Sequence, residues 1–532
     1  MNDTHDESRR AFVLGLDGVP WGLLEGLMDD GALPNFERLR AEGASGPLRS
    51  TTPANTPVAW PSIATGTWPD KHGLYEFMKL DSSYKQVPYS SADVRQPPLW
   101  ELVSPSVAAN VPMTYPTSDP GEDSGIVSGM MTPELDDDDA VSPDSLRERF
   151  EARVPDYEID ITWADYAGRE EEFLADLDEV MRTRRELMEM LMENEAWRLF
   201  FFVYVAPDRL QHLVWDDDTL REHYQKLDDI LGDVMAYCEK RDANLYVVSD
   251  HGFAPIEKII SVNRILADAE LLTAKDEGGT RGALSQVGLN KDRVMGTLKR
   301  LGVTDDKLVQ TLPKPVVDFF GERIPGSHGL YDVNFERTDA FLHGLGSVYV
   351  NDTRRFERGT VPPEAVERTK GEVVRVLEAA TDPETGDPLL TVSDGDDLFP
   401  NDPDAPDVVV EAKDGYHVKP KLAATPVEPA EGIAAYHRSE GIFLAWGDDV
   451  RAGTHVEDAA VVDVAPTVLH SLGREVPDAA DGGVLSDVFA PGSVPATTDV
   501  ETAQYARRDG AAANETDTET VEDRLRGLGY ME

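Results

Sequence analysis

Cysteine is all but missing from this chain: Cys238 is the single one in 532 residues. A disulfide framework or a thiolate metal cluster needs several sulfurs, so both are excluded. Cys238 falls in a helical stretch and reads as a packed or half-exposed thiol. Long apolar runs are missing too, and none approaches the ~20 residues that a membrane-crossing helix requires. Basic residues are scarce. Lys and Arg number 50 against 101 Asp and Glu, a formal net charge of −51. Such a field repels nucleic acid and anionic lipid, so neither is expected as a partner. The acidic residues are spread along the chain, with runs at 136–139 and 216–218, and read as a solvated, halophilic surface whose self-repulsion salt would screen. The opening, MNDTHDESRR, is polar and acidic and does not look like a signal peptide, so a cytoplasmic location is expected.

What is present suffices for a real interior. Apolar residues make up 40% of the chain, and its length suits one large α/β domain with a smaller unit inserted or appended. Short continuous apolar runs, AFVLGL from Ala11, LFFFVYV from Leu199 and NLYVV from Asn244, read as strands buried on both faces. Each ends in an aspartate: Asp17, Asp208 and Asp250. Helices alternate with them, at Trp21 to Met28, Arg169 to Asn194 and His223 to Lys240, which supports a parallel sheet. In such a sheet the carboxyl ends share one edge, where ligands bind. The domain reading is a catalytic core over 10–255 and 329–490 and an inserted, mostly helical cap over 256–328. An acidic, disordered linker with a short terminal helix (520–528) is expected in 491–532. Residues 382–427 are rich in Pro and Asp and receive no element.

The stretch TTPANTPVAWPSIATGTWPDKHG, from Thr51 to Gly73, is the focus of the chain. Thr56-Pro57 reads as a helix cap with proline at the first helical position. A hydroxyl there meets the positive end of the helix dipole and can face a phosphate. Pro61 argues against a regular helix start, because it removes a donor early in that helix.

Asp17, Asp208, His212, Asp250, His251 and His437 form a carboxylate and imidazole set without sulfur. That set suits Zn²⁺ or Mn²⁺, and six ligands suit two ions better than one tetrahedral site. Asp208 and His212 share one helical face if a helix starts at once. Gly252 permits the turn that would bring Asp250 and His251 to one site. Two ions about 4 Å apart can hold the attacking and leaving oxygens of a phosphoryl displacement, with Thr56 as an activated nucleophile. Taken singly, a strand-end aspartate is usually a turn or cap residue. His72, His328, His343, His417, His455 and His470 read as ordinary core or surface histidines.

LGLDGVPW, the Thr51–Gly73 stretch, APDRLQH, VVSDHGF and AYHRSEGIFLAWG, in this order, resemble the alkaline phosphatase superfamily, and within it the type I phosphodiesterase/nucleotide pyrophosphatase family. The resemblance implies an alkaline-phosphatase-like, mostly parallel α/β sheet flanked by helices. It implies two zinc ions, one held by Asp208, His212 and His437 and the other by Asp17, Asp250, His251 and Thr56. It also implies a phospho-threonine formed on Thr56 and a small phosphorylated substrate. The expected enzyme is a phosphodiester or phosphoanhydride hydrolase. A phosphomonoesterase or phosphotransferase on the same site, or a non-catalytic binding protein, are the alternatives. Phe77 stands where nucleotide pyrophosphatases carry a phosphate-binding asparagine, so nucleotides are not assumed. Neither the substrate nor the oligomeric state follows from the sequence.

Overall fold

The computed structural model describes residues 9–508, apart from 136, 195, 276–329 and 331, and residues 518–528. The strands that carry the candidate site are β1 (Arg10–Leu16), β2 (Ala44–Arg49), β3 (Ser106–Ala109), β4 (Gly125–Val127), β5 (Val141–Ser142), β6 (Leu199–Tyr204), β7 (Ala243–Val248), β8 (Gly252–Ser261), β9 (Ala435–Arg438), β10 (Glu440–Trp446), β11 (Thr454–His455) and β12 (Ala459–Ala460). All but β8 and β9 form one ten-stranded sheet, ordered β11-β2-β10-β7-β1-β6-β3-β4-β5, with β12 on β2. Its middle is parallel: β1 pairs with both β6 and β7. The antiparallel β10 then joins β7 to β2.

The sequence explains the centre of that sheet. Leu199 to Tyr204 (LFFFVY) is fully buried on both faces, because helices cover each side. Side chains of this kind contribute about 1.5–3 kcal/mol each on burial. Phe201→Ala would open a cavity costing roughly 3–5 kcal/mol. The helices used below are α1 (Trp21–Asp29), α2 (Thr56–Thr65), α3 (Glu170–Asn194), α4 (Ala206–Leu213), α5 (Asp217–Glu239), α6 (Val366–Glu378) and α7 (Thr518–Gly527). Gly15 lets α2 close over β1. A Cβ there would sit 2.4 Å from the Trp60 ring.

A second, antiparallel sheet lies in the other half, ordered 340–343, 347–350, 408–412 and 390–394. α6 packs on it through Val373 and Leu377, giving this half its own apolar core. The stretch 382–427, without an element in the sequence reading, supplies two of these strands. They are short and interrupted by Asp and Pro turns, which hid their alternation. β8 runs between the two halves and pairs with β9. The cap expected from 256 begins on β8 and a helix at Val262–Asp268; its residues 276–328 lie outside the described residues.

Residues 491–508 run along the core as a strap. Thr502–Ala503 pairs with Val476–Pro477, and Arg508 binds the Arg95 and Ser91 carbonyls at 3.0 and 2.9 Å. The stretch has few apolar residues, and backbone pairing holds it instead. Among the described residues no helix is long and apolar enough to cross a membrane.

Candidate metal centre

β1, β6 and β7 end at one edge, in register: Gly15 lies opposite both Val203 and Val248. Asp17, Asp208 and Asp250 follow those ends. α4 starts two residues after β6 and carries Asp208 and His212 one turn apart. Gly18, at φ +74°, turns the chain after Asp17, and its N–H donates to Asp250 Oδ1 at 3.1 Å. His437 arrives from β9, opposite Phe253 on β8. The six acidic and imidazole residues and Thr56 are therefore brought together, and all seven are buried.

Thr56 differs from the sequence reading in one respect. Asn55 is the cap residue, with extended backbone, while Thr56 and Pro57 open the helix and Pro61 lies inside it. All ten residues of α2 are buried, so packing outweighs the one backbone bond that Pro61 forgoes. Pro57 has no N–H, and those of Val58 and Ala59 bond to Asn55 O. The first turn thus still has the Thr56 amide to offer.

Two groups of ligand atoms converge: Asp208 with His212 and His437, and Asp17 with Asp208 and His251. Asp208 stands between them. Its Oδ1 lies 3.2 Å from His437 Nε2 and 4.0 Å from His251 Nε2, and its Oδ2 lies 3.4 Å from His212 Nε2. His437 Nε2 and His212 Nε2 face each other at 3.2 Å. His251 Nε2 is 3.1 Å from Thr56 Oγ1, 3.8 Å from Asp17 Oδ1 and 3.3 Å from Asp250 Oδ2. Nδ1 of His251 faces Gly252 O at 3.2 Å. With the ring proton held there, Nε2 turns a lone pair toward Thr56.

The charges are arranged unequally. Burial, then Asp250 and Asp208, push Asp17 well above the usual carboxylate range. Burial likewise pushes Asp250 up to about 8, against the Gly18 N–H. Burial also lifts Asp208, but His212 and Arg209 outweigh it and hold that carboxyl well below its ordinary value. Burial brings His437 down to about 4 and His251 well below the imidazole range. Imidazole nitrogens and carboxyl oxygens thus gather in a buried site, and Asp17 Oδ1, Asp208 Oδ1 and Asp250 Oδ2 have no hydrogen-bond partner there. Converging lone pairs repel unless a cation lies among them, so the donor set fits divalent metal ions.

Three residues beside the site were not singled out in the sequence. Arg209, wholly buried, donates to Asp160 through Nε and Nη2 at 2.9 and 2.8 Å and to Asp208 through Nη1. Trp163 stacks on His212, centroids 4.7 Å apart and 13° from parallel. Glu76 accepts from Asn55 Nδ2 at 2.9 Å and from the Leu345 N–H at 2.6 Å, and burial raises it to about 7. Arg209, in the step after a ligand, was the one open to suspicion. Asp160 and Trp163 sit in a loop without pattern. Phe77 is buried in the apolar core. His417, set aside in the sequence, is buried and stacked on Tyr436, 3.4 Å between centroids.

The profile of the Type I phosphodiesterase / nucleotide pyrophosphatase family matches residues 11–431. A comparison with curated proteins finds no match. Among solved structures, human ectonucleotide pyrophosphatase/phosphodiesterase 5 is similar over 90% of this chain and 100% of its own, at 14% identity and TM-score 0.51. The murine protein, as an inactive variant in complex with AMP, is similar over 91% and 100%, with the same identity and score. At that identity the likeness is one of fold: an alkaline-phosphatase-like α/β core.

Proposed function

The chain belongs to the type I phosphodiesterase/nucleotide pyrophosphatase family and is a hydrolase of that kind, and we propose that Thr56 is its nucleophile within a two-metal site. The observation that carries this reading is the 3.1 Å approach of Thr56 Oγ1 to His251 Nε2, at the mouth of a helix and amid converging ligand atoms. His212 and His437 with Asp208 would hold one ion; Asp17, Asp250, His251 and Thr56 would hold the other. Zinc is the first expectation and manganese the second. When bound, the pair would lower the pKa of the Thr56 hydroxyl and neutralise charge on the phosphoryl and leaving oxygens.

Thr56 Oγ1 gives its proton to solvent, attacks phosphorus and forms the P–O bond of a phospho-threonine. The bond to the leaving oxygen breaks, and that oxygen takes a proton from water. A water molecule then attacks the same phosphorus, and Thr56 recovers its proton as phosphate or phosphomonoester departs. The Thr56 amide and the positive end of α2 face the developing charge. Trp60 Nε1 holds Asp17 Oδ2 at 3.2 Å, which orients that carboxylate.

Diesters and anhydrides are favoured over monoesters by one observation. Among the described residues, the guanidinium that touches a ligand carboxylate, Arg209, is engaged by Asp160 and Asp208 and is not directed at a monoester's extra charge. The AMP held by the murine relative makes nucleotides a class to test here. Thr56→Ala should abolish turnover of bis-p-nitrophenyl phosphate while leaving the fold intact. Full activity in that variant removes the nucleophile, and faster turnover of p-nitrophenyl phosphate than of the diester supports the phosphomonoesterase alternative. A protein purified without chelators that holds no divalent ion would favour a binding role. The acid-rich surface is read as salt-adapted, and a melting temperature that rises with potassium chloride would support that.

A further inference from the structure

The Asp208–His212–His437 group is backed by a segment of chain that takes no part in the chemistry. Residues 157–166 lie against α4, and their inward side chains reach two of the three ligands. Asp160 grips the Arg209 guanidinium with both carboxylate oxygens, and Arg209 in turn holds Asp208 Oδ2. Arg209 and Asp160 are sealed from solvent, at 0% and 1% side-chain exposure. Trp163 covers the His212 ring face to face and is itself buried. The aspartate therefore fixes a carboxylate's direction and the tryptophan fixes an imidazole plane.

That segment receives hydrogen bonds at its Glu158 and Ile159 carbonyls from the buried Arg184 of α3. It has one short helical turn, Trp163–Tyr166, and its outer side is covered by α7, from the far end of the chain. Val521, Leu525 and Leu528 of that end are buried in the same apolar cluster as Ile161 and Trp163. The packing is close enough that a Cβ on Gly527 would lie 2.6 Å from Thr162. Arg524 donates to the Thr132 and Pro133 carbonyls. Asp160 is near enough that its charge opposes the downward pull of burial on the Arg524 guanidinium.

We propose that the C-terminal helix α7 is a positioning element for one of the two metal sites, acting through Asp160–Arg209 on Asp208 and through Trp163 on His212. The proposal rests on the two-metal reading above. Groups that orient metal ligands typically set affinity by ~10–100-fold, and here that control is delivered by a helix more than 300 residues away in sequence from Asp208 and His212. The opposite site, around Asp17, Asp250 and His251, meets the brace through Asp208, which stands between the two groups, so the loss falls mainly on the side of His212 and His437.

The test is zinc affinity, measured by competition with a chromophoric chelator, on the full chain and on a protein ending at Arg508. The full chain should bind two ions. The shortened protein should keep one at nearly unchanged affinity and bind the other at least tenfold more weakly. His437→Ala, which removes a ligand of the braced site, identifies the unchanged class. A peptide of residues 509–532 added in trans should restore the lost affinity. Asp160→Asn in the full chain should give the same one-sided loss, which decides the matter if the shortened protein does not fold. Two unchanged affinities in a folded shortened protein and in Asp160→Asn, whatever their melting temperatures, overturn the proposal, as does an equal loss at both sites. A full chain that binds no ion instead overturns the metal reading itself.

Discussion

The two ligand groups differ in how their charge is balanced. Around Asp208 the protein supplies its own cation: Arg209 is in place, and Asp208 is held ionised. Around Asp17 and Asp250 burial prevails, with the charge of Asp208 adding to it, and both carboxyls are pushed up although Arg209 pulls Asp17 the other way. Glu76, on the shoulder of the nucleophile through Asn55, shares that condition. One half of the site is thus pre-formed and braced from behind. The other holds carboxyls that burial keeps protonated and that a bound cation would ionise. A two-metal site built this way keeps its geometry in one half and reserves its pull on metal and hydroxyl for the other.

The largest expected effect separates chemistry from scaffold. Thr56→Ala should lower kcat on a diester by ~10⁴-fold or more, with the ion of Asp208, His212 and His437 still bound by elemental analysis. If that ion, which Thr56 does not hold, is lost as well, Thr56 belongs to the scaffold, and the comparison shifts. Next comes the braced half. Arg209→Met leaves Asp160 and Asp208 buried without their cation and should cost about 3–5 kcal/mol in urea denaturation. A loss below 1 kcal/mol would show the pair to be solvated.

Glu76 gives the pH signature of the uncompensated half. Its folded value, about 7, lies above the ordinary 4.5. The stability it contributes is therefore complete below pH 4.5 and is lost as pH rises through 7. Glu76→Gln should remove that slope and be the more stable protein above pH 8, by about 3 kcal/mol. Parallel stability–pH curves for the two proteins would contradict this. The smallest effect compares the halves directly. In chelator, Asp17→Asn should stabilise the protein by ~1–2 kcal/mol, while Asp208→Asn, which strips Arg209 of a partner, should destabilise it by ~1–3 kcal/mol. Shifts of the same sign would erase the distinction.

Much of this was legible in the chain because the central strands are short, apolar and closed by aspartates. A strand buried on both faces needs an unbroken apolar run, and Leu199 to Tyr204 has nothing else. The second sheet was not legible, since its strands at 390–394 and 408–412 are flanked by Asp- and Pro-rich turns that break the alternation. Nor were Asp160 and Trp163, whose roles depend on what lies beside them in space. Pro61 misled for the same reason: local propensity spoke against a helix that burial sustains.

The sequence by itself determined which chemistry is available, because side-chain types and strand ends are written locally. It could name six candidate ligands and a threonine and set the strand-end aspartates at the edge of one sheet. Only the tertiary structure decided how they share charge. The position of Arg209 against Asp160, and of α7 against the loop that carries it, depends on contacts between residues hundreds of positions apart, and the energy of a buried charge depends on those neighbours.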